Sequence, residues 1–589
     1  MTMDYKWSLD ALYTGFEDEH FLADWKKLEE LCTRYQERTA CLGGAAPAAE
    51  IRAVLELQEE LEELAERLGI YAGLRQAADT KDTQSASVFG RLKGELAEIV
   101  GAQTAFRQFV AKQENLDAII ASDPVLTEYR YLLTNIRKDS RYLLEQKEEE
   151  IMARMDLSGA SAWEDLQAYL TSSVQVEFRG KTTTLSAIRN LAYDPDPATR
   201  REAYEAELKC YPKIADPVAF SLNSIKLQML NDCRLRGYES PLQRALYDAR
   251  MERKTLDAMF AAIDEYLPKF WAYLRGKAKA LGHENGMPWY DMFAPMGENN
   301  RKYSVEDARE LLLRLFGGFD EALRAMVQEA FDHDWIDFFP REGKVGGAFC
   351  QGIQSIRQSR ILTNFDGTYS DIVTLAHELG HAFHNVNLYD HRPLNKEYSM
   401  PVAETASTFN ENIVNNAAYA AAQTDGERLA ILESQLMDAC QIICDIYSRY
   451  LFETEVFAHR EEQFLPAERL CEMMLEAQKK AYGDGLDQNF LHPYMWLCKS
   501  HYYSGSLSFY NFPYAFGGLF ARGLYARYRE EGAAFVPKYK ALLHATSVMS
   551  AEDAAAIAGI DLTDRRFWES SLESISRDID EFLRLLEKN

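Results

Sequence analysis

The sequence predicts a mainly α-helical protein with one small β-sheet beside a metal-binding helix. Across most of the 589 residues, apolar side chains recur at helical spacing between charged faces. The pattern changes between residues 335 and 365, where three short runs are typical of strands. A His-Glu-x-x-His pattern follows at 377–381, and on a helix its two imidazoles project from one face. The predicted order is therefore helices, a small sheet, a metal-binding helix, and helices again.

The N-terminal helical region is predicted to span residues 1–115. Residues 18–34, 46–68 and 85–112 place apolar side chains with the period of amphipathic helices. The two glycines at 43–44 are typical of a turn between such helices. We interpret this region as scaffold.

A second helical region with a hairpin is predicted over residues 116–195. Residues 174–182 alternate in polarity and then turn at Gly180, as a β-hairpin does. Asp196 can cap a helix whose first residue is Pro197, which marks a boundary. The third region, a catalytic domain around the metal-binding helix, is therefore placed at 196–589.

Three short strands are predicted just before the metal-binding helix, at 335–339, 347–350 and 360–365. The edge of such a sheet can bind an extended peptide as an added strand. Gly346 and Gly347 lack side chains and would let a peptide backbone approach closely. A plain buried strand accounts for the same glycines equally well.

The metal-binding helix is predicted over residues 371–384. Its buried face is formed by apolar residues at helical spacing, namely Ile372, Leu375, Leu379 and Phe383. His377 and His381 are four residues apart and can hold one metal ion together. Glu378 can reach a water molecule at that metal and take its proton. Two histidines leave a tetrahedral zinc ion short of one protein ligand and one water.

The third ligand is expected in a second helical run at 401–411. Glu404, Thr408 and Glu411 share one face of that helix. We predict Glu404 as the ligand and Glu411 as a group that orients a ligating histidine. The metzincin pattern would require Gly at 384 and His at 387, but this chain has His384 and Asn387.

Beyond these motifs, the chain resembles the oligoendopeptidase F branch of the thimet-oligopeptidase-like zinc metallopeptidases. The matching segments lie in order along nearly the whole chain: Trp7–Tyr13, Gly346–Phe349, Thr374–His384, Ala403–Glu411, His501–Phe512, Gly559–Leu562 and Phe567–Trp568. The resemblance implies a large helical zincin-type body, with two helical halves around a deep channel and zinc at its floor. It also implies that the channel admits oligopeptides and rejects folded proteins.

Residues 501–518 combine four tyrosines and one histidine with residues that interrupt helices. Gly505, Pro513 and Gly517-Gly518 predict that no continuous helix forms there. Tyrosine hydroxyl and histidine N–H groups can stabilise a developing oxyanion, although aromatic loops often only pack. The resemblance implies that His501 and a tyrosine line the site. We rank Tyr510 first, with Tyr503 and Tyr514 as alternatives.

Composition limits the classes of molecule that the protein can bind. Lys and Arg number 65 against 92 Asp and Glu, and the net charge of −27 disfavours binding to nucleic acid or anionic membranes. We find no secretory signal and no apolar run long enough to span a membrane. The nine cysteines are scattered, as is typical of reduced thiols in the cytoplasm. The oligomeric state stays open.

The sequence therefore predicts a zinc endopeptidase for short oligopeptides, with one Zn²⁺ per chain. His377, His381 and Glu404 bind the metal, Glu378 is the general base, and His501 and Tyr510 stabilise the oxyanion. One alternative is a zinc exopeptidase of the carboxypeptidase type, which would need a charged group to capture a peptide terminus. The other is a non-catalytic peptide-binding helical protein with a structural zinc, although a structural site needs no base such as Glu378.

Overall fold

The computed structural model describes residues 5–297 and 301–588. It is 71% helical with only small sheets, which confirms the mainly α prediction. Three hydrophobic cores organise the chain, and each is described below with the elements that form it. The predicted region boundaries near 115 and 195 stay predictions.

The N-terminal core is formed by seven helices. They are α1 (Glu19–Ala40), α2 (Pro47–Ala78), α3 (Thr83–Ala97), α4 (Val100–Ala111), α5 (Leu116–Ala121), α6 (Pro124–Glu128) and α7 (Arg130–Asp139). The run predicted as one helix over 85–112 is divided between α3 and α4. Ile353 and Leu362 of the small sheet close this core, so the N-terminal helices pack directly against the strands.

The second core contains the predicted hairpin, and helix α8 (Gln146–Asp156) precedes this core along the chain. The elements of the core are α9 (Ala160–Ser173), β1 (Gln175–Phe178), β2 (Lys181–Thr184), α10 (Leu185–Asn190), α11 (Pro197–Cys210) and α12 (Ala215–Arg236). Arg179 and Gly180 form the turn with φ values of 49° and 75°. As predicted, the Asp196 side chain caps α11 by accepting the backbone N–H groups of Ala198 and Thr199. Residues 452–503 complete this core.

The third and largest core extends from Met229 to Leu585. Its first elements are α13 (Pro241–Asp248), α14 (Arg253–Ala280), α15 (Val305–Gly317), α16 (Glu321–Asp332), β3 (Ile336–Asp337), β4 (Phe349–Ile353), β5 (Gln358–Leu362) and α17 (Tyr369–Leu388). They are followed by α18 (Met400–Ala403), α19 (Thr405–Ala421), α20 (Asp425–Cys440), a π-turn (Gln441–Asp445), α21 (Ile446–Arg460) and α22 (Ala467–Tyr482). A 3₁₀ turn (Ser500–Tyr503) follows, and its tyrosines belong to the second core. The last elements of the third core are α23 (Phe512–Glu531), α24 (Val536–Ala545), α25 (Ala551–Ile557) and α26 (Arg565–Lys588).

The small sheet lies beside α17, as predicted. Its strand order is β3-β5-β4, with β3 parallel and β4 antiparallel to β5. Strand β4 is therefore an edge strand. Gly352 of β4 lies against α17, and a Cβ atom there would be 2.6 Å from the amide nitrogen of Asn385. The edge strand and the metal-binding helix thus pack closely together.

A helix that crosses a bilayer needs about 20 mostly apolar residues. None of the helices within residues 5–297 and 301–588 combines the necessary length and apolar character.

Candidate metal centre

Helix α17 begins with a reciprocal cap formed by Thr368 and Asp371. The Thr368 hydroxyl accepts the backbone N–H of Asp371 at 3.2 Å, and the Asp371 carboxylate accepts the backbone N–H of Thr368 at 2.8 Å. The predicted apolar face is buried, with Leu375 and Leu379 fully inaccessible to solvent. This packing fixes the rotation of the helix. The opposite face then presents His377 and His381, whose side chains are 26% and 20% exposed, and His377 lines a cavity.

Glu404 lies at a break between two helices, which corrects the prediction of one continuous helix over 401–411. Helix α18 ends at Ala403 and α19 begins at Thr405, while Glu404 itself has φ −87° and ψ 8°. The Ser407 hydroxyl donates a hydrogen bond to the Glu404 carboxylate at 2.7 Å and holds it at this break. Glu404, Thr408 and Glu411 still line one cavity together.

The three predicted ligand atoms form a compact triangle. The distance is 3.2 Å between His377 Nε2 and His381 Nε2, and Glu404 Oε2 lies 3.3 Å and 3.5 Å from those two atoms. Zinc–ligand bonds of about 2.0–2.1 Å in a tetrahedral site separate neighbouring ligand atoms by about 3.3–3.4 Å. The triangle therefore has the dimensions of one face of a tetrahedral zinc site.

The hydrogen bonding of His377 also fits a cation at the centre of the triangle. Its Nδ1–H donates to Glu411 Oε1 at 2.5 Å, so in the neutral imidazole the lone pair is on Nε2. That lone pair faces the carboxylate of Glu404 and the imidazole of His381. Three electron-rich atoms converge at this point, and a metal cation would relieve their mutual repulsion.

The pKa values of His377, His381 and Glu404 indicate which of these groups carries a charge. Burial lowers the pKa of His377, but hydrogen bonds and charge from Glu404 and Glu411 outweigh burial and raise it to about 10. Burial and the charge of His377 lower the pKa of His381 to about 4. Burial raises the pKa of Glu404, but the two histidines lower it to about 2. The cluster thus favours an anionic Glu404 beside a single positive charge.

Glu378 is buried on the side of α17 that faces the sheet. It is 5% exposed, and its Oε2 atom has no hydrogen-bond partner within the described part of the chain. Burial raises the pKa of Glu378 to about 7, although the nearby charge of His377 acts in the opposite direction. Burial and the charge of Glu378 together raise the pKa of the Cys350 thiol on β4. The carboxylate therefore lies between the candidate metal ligands and the edge strand.

The aromatic segment is more helical than predicted. Helix α23 begins at Phe512 and contains Gly517 and Gly518, which were expected to interrupt a helix. A Cβ atom on Gly517 would be 3.1 Å from the Glu404 Cβ, and one on Gly518 would be 2.3 Å from Ile442 Cδ1. The two glycines therefore allow close packing between helices.

Of the predicted aromatic residues, Tyr514 lies nearest to the ligands. It lines the same cavity of about 380 Å³ as His377 and Glu404. The Tyr514 hydroxyl is 2.7 Å from the Tyr510 hydroxyl, and we call these two residues the tyrosine pair. The His501 ring lies 5.7 Å from the Tyr510 ring and nearly parallel to it, and His501 does not line the cavity.

Tyr503, the other alternative to Tyr510, and His384 of α17 do not line the cavity. Tyr503 is fully buried in the second core, and its hydroxyl donates to the Trp496 carbonyl at 3.1 Å. His384 is also fully buried, with Nε2 2.8 Å from the Thr546 hydroxyl and its ring stacked on Tyr398. Both side chains therefore contribute to the packing of the interior and do not line the cavity.

Sequence reasoning missed other residues of the cavity. Asp438 of α20 and Arg522 of α23 line it, as do Gln441 and Ile442 in the π-turn. These residues are far from the His-Glu-x-x-His pattern along the chain and match no motif. The only signal in the sequence was the Gly517-Gly518 pair, which indicates a close contact between helices.

Comparisons with known proteins show which family the chain resembles along its length. The profile of peptidase family M3 matches residues 190–574, and an oligopeptidase F profile matches residues 111–175. Oligopeptidase PepF of Bacillus subtilis is 24% identical over 99% of this chain and 87% of its own length. An oligoendopeptidase F homologue of Lactococcus lactis is 23% identical over 100% and 98%, respectively.

Solved structures share the fold over nearly the full length of both chains. A peptidase structure from Chlamydophila abortus superposes with a TM-score of 0.83 at 19% identity, covering 98% of each chain. Oligoendopeptidase-F from Enterococcus faecium superposes with a TM-score of 0.72 at 18% identity, covering 97% of this chain and 99% of its own. The family profile covers well over half of the sequence. The chain therefore belongs to peptidase family M3, among the metalloendopeptidases related to oligoendopeptidase F.

Proposed function

We propose that the protein is a zinc-dependent endopeptidase that hydrolyses short oligopeptides. His377, His381 and Glu404 would hold one zinc ion per chain, and Glu378 would act as the general base. The observation that carries this proposal is the triangle of ligand atoms, with edges of 3.2, 3.3 and 3.5 Å, next to the buried carboxylate of Glu378.

Each residue of the centre has a separate task. A zinc ion held by the triangle would supply Lewis acidity toward a water molecule and the scissile carbonyl. Glu378 accepts a proton from the attacking water and then donates it to the leaving amine. Burial raises the pKa of Glu378 to about 7 in the metal-free site, and a raised pKa strengthens this carboxylate as a proton acceptor. Glu411 keeps the proton of His377 on Nδ1, which leaves Nε2 free as a ligand.

The tyrosine pair is proposed to stabilise the oxyanion of the tetrahedral intermediate. Tyr514 lines the cavity and can donate its hydroxyl proton to the developing negative charge. The Tyr510 hydroxyl, 2.7 Å away, can hold the Tyr514 hydroxyl in place. His501 packs parallel to Tyr510 and supports the pair from the far side.

The substrate is proposed to lie extended along β4. This strand is at the sheet edge, and its backbone can pair with an added peptide strand. The charge of Glu378 acts on Cys350 of β4, so a peptide bound there would pass the proposed base. The relatives named oligopeptidase and oligoendopeptidase F support short peptides as the substrate class.

The decisive experiment compares the wild-type protein with Glu378→Gln. We expect both proteins to contain one zinc ion per chain by elemental analysis, because Glu378 is not a proposed ligand. We expect turnover of an internally quenched peptide with blocked ends to fall by at least about 10²–10⁴-fold in the variant. Blocked ends also prevent cleavage by an exopeptidase. The matched control is Glu397→Gln, since Glu397 is exposed and does not line the cavity.

Three outcomes would contradict the proposal. Wild-type cleavage in Glu378→Gln would exclude that residue as the base. Loss of zinc in the same variant would assign it to the ligand set. Cleavage only of peptides with free ends would favour the exopeptidase alternative.

A further inference from the structure

A second cavity adjoins the candidate metal centre. Its volume is about 260 Å³, and it lies between α10, α11, the π-turn, α21 and the segment after α22. Gln441 of the π-turn lines this cavity and also the cavity of the metal centre. The two cavities therefore share Gln441 in their walls, and we refer to them together as the cleft.

The second cavity carries a cluster of cations, and we call it the cationic cavity. Its charged lining residues are Arg189, Arg200, Arg449, Lys499, Glu207 and Asp445. Three of the four cations have a carboxylate partner. The pairs are Arg189 with Glu207 at 3.6 Å, Arg200 with Asp291 at 2.7 Å, and Arg449 with Asp445.

Lys499 is the cation that remains. Among residues 5–297 and 301–588, no hydrogen-bond acceptor or carboxylate pairs with its ammonium group. Burial lowers the pKa of Lys499, and the neighbouring Arg449 lowers it further. Arg449 also has a donor without a partner, because its buried Nε–H meets no acceptor in the described part of the chain. Two cationic donors are thus left unsatisfied in one place.

This arrangement costs free energy unless an anion enters. A partly buried ammonium beside a guanidinium loses hydration and experiences repulsion, and an incoming carboxylate would offset both. The charge of Asp445 also acts on Lys499, but its carboxylate pairs with Arg449 and forms no ion pair with Lys499 in the described part of the chain. The cationic cavity is therefore suited to an anionic group of a ligand in the cleft.

We propose that the cationic cavity binds a carboxylate of the peptide substrate through Lys499 and Arg449. Either the C-terminus of the peptide or an Asp or Glu side chain could supply this carboxylate. The proposal rests on the endopeptidase function proposed above, and it adds a determinant of substrate choice to that function.

The spacing along one helical segment indicates where the carboxylate would lie. Asp438 and Ile442 line the cavity of the metal centre, and Arg449 lines the cationic cavity farther along the same segment. A helical rise of 1.5 Å per residue places Arg449 about 10–16 Å beyond them. An extended peptide covers this distance in roughly three to five residues. A C-terminus bound by Lys499 would therefore be released as a short peptide, whereas a carboxypeptidase would release a single residue.

The test uses three internally quenched peptides without acidic side chains near the cleaved bond. One has a free C-terminus about four residues after that bond, and the second has the same sequence as a C-terminal amide. The third is an amide with Glu at its last position. We expect zinc-loaded wild-type protein to cleave an acidic form with a kcat/KM about 10- to 100-fold above that of the neutral amide, as for loss of a charge-assisted hydrogen bond. The peptide that shows the advantage identifies the source of the carboxylate.

The variants are Lys499→Met and the control Lys209→Met. Lys209 is exposed on α11, and its replacement removes the same charge outside the cavity. We expect the preference for the acidic form to fall to about one in Lys499→Met and to persist in Lys209→Met. Lys499→Arg keeps a cation and should retain part of the preference. Thermal unfolding and zinc content show whether each variant is folded.

Binding measured by calorimetry separates this proposal from the proposed function. The same peptides are titrated into zinc-loaded Glu378→Gln, with and without Lys499→Met, so that no turnover is required. A preference for the acidic form that depends on Lys499 supports the proposal even if the assigned catalytic base is wrong. An unchanged preference in Lys499→Met, or equal affinity of the wild-type cavity for all three peptides, would overturn it.

Discussion

Gly380, between the two histidines of α17, controls how closely α17 approaches α19. A Cβ atom at this position would be 2.5 Å from both the Ala406 carbonyl oxygen and the Ser407 Cα. Ordinary van der Waals contact begins at 3.4 Å, so Gly380→Ala would require a backbone displacement of about 0.9 Å. The displaced atoms lie two and three residues after Glu404. The substitution should therefore move the third ligand away from His377 and His381.

We expect zinc binding to be the sensitive measurement. Metal sites tolerate deviations of about 0.2 Å in ligand distance, which is much smaller than the required displacement. The zinc dissociation constant of Gly380→Ala should rise by at least about 10–100-fold, as is typical when groups that orient ligands are disturbed. The free energy of unfolding should fall by at most about 2 kcal/mol, because overpacking of about 1–3 kcal/mol is partly offset by the better helix propensity of Ala. Competition with a chromophoric chelator and urea unfolding of the metal-free protein measure the two quantities.

Two further variants complete this comparison. In Gly517→Ala, the new Cβ would be 3.1 Å from the Glu404 Cβ, so the required movement is a few tenths of an ångström and the loss of zinc affinity should be smaller. In Gly73→Ala, nothing lies within 4 Å of the new Cβ on α2, so zinc affinity should not change. If Gly380→Ala binds zinc as tightly as Gly73→Ala, the close approach of α17 and α19 does not set the geometry of the ligands.

Three other predictions concern the chemistry of the centre. Glu411→Gln should weaken zinc binding about 10–100-fold in the same chelator assay, because His377 loses an anionic acceptor; unchanged affinity would remove Glu411 from the site. Tyr514→Phe should lower kcat about 10²–10³-fold with little change in KM, and Tyr510→Phe should have the smaller effect; the opposite order in steady-state kinetics would transfer the oxyanion role to Tyr510. In the metal-free protein, the folded-state pKa of Glu378 of about 7 lies above its ordinary value of 4.5, so stability falls as pH rises between these values. Glu378→Gln should therefore unfold in urea with a free energy about 3 kcal/mol higher than wild type at pH 8 and nearly equal at pH 4.5, and a constant difference would refute the assigned pKa.

The sequence predicts those parts of the centre that depend on local geometry. The spacing of His377 and His381 places both imidazoles on one face of any helix, and the apolar residues of α17 determine which face is buried. The same rule placed Glu404, Thr408 and Glu411 along one cavity, although the helix is broken at Glu404. Local periodicity was sufficient here because each conclusion required only the next one or two turns.

Contacts between distant segments could not be predicted in this way. Glycine destabilises a helix by about 1 kcal/mol relative to alanine, so Gly517 and Gly518 were expected to interrupt one. Their positions are instead explained by packing against Glu404 and Ile442, which are at least 75 positions earlier in the sequence. No pattern in the sequence indicated a role for Lys499. Its lack of an ion-pair partner depends on the pairing of Arg449 with Asp445, which forms only in the folded chain. Both features exist only once the helices have packed.

If the cationic cavity binds a substrate carboxylate as proposed, the distribution of charge along the cleft would give a peptide one preferred direction. Glu404, Glu411 and Asp438 line the end at the candidate metal centre, whereas Lys499 and Arg449 lie at the other end. Backbone pairing along an edge strand is possible for peptides of many sequences and does not by itself favour one placement along the strand. A carboxylate held at the basic end would select one placement, because the opposite direction brings that carboxylate toward three acidic residues. Charge would therefore determine direction and length in this cleft, while the choice of side chains at the cleaved bond is left to contacts beside the metal.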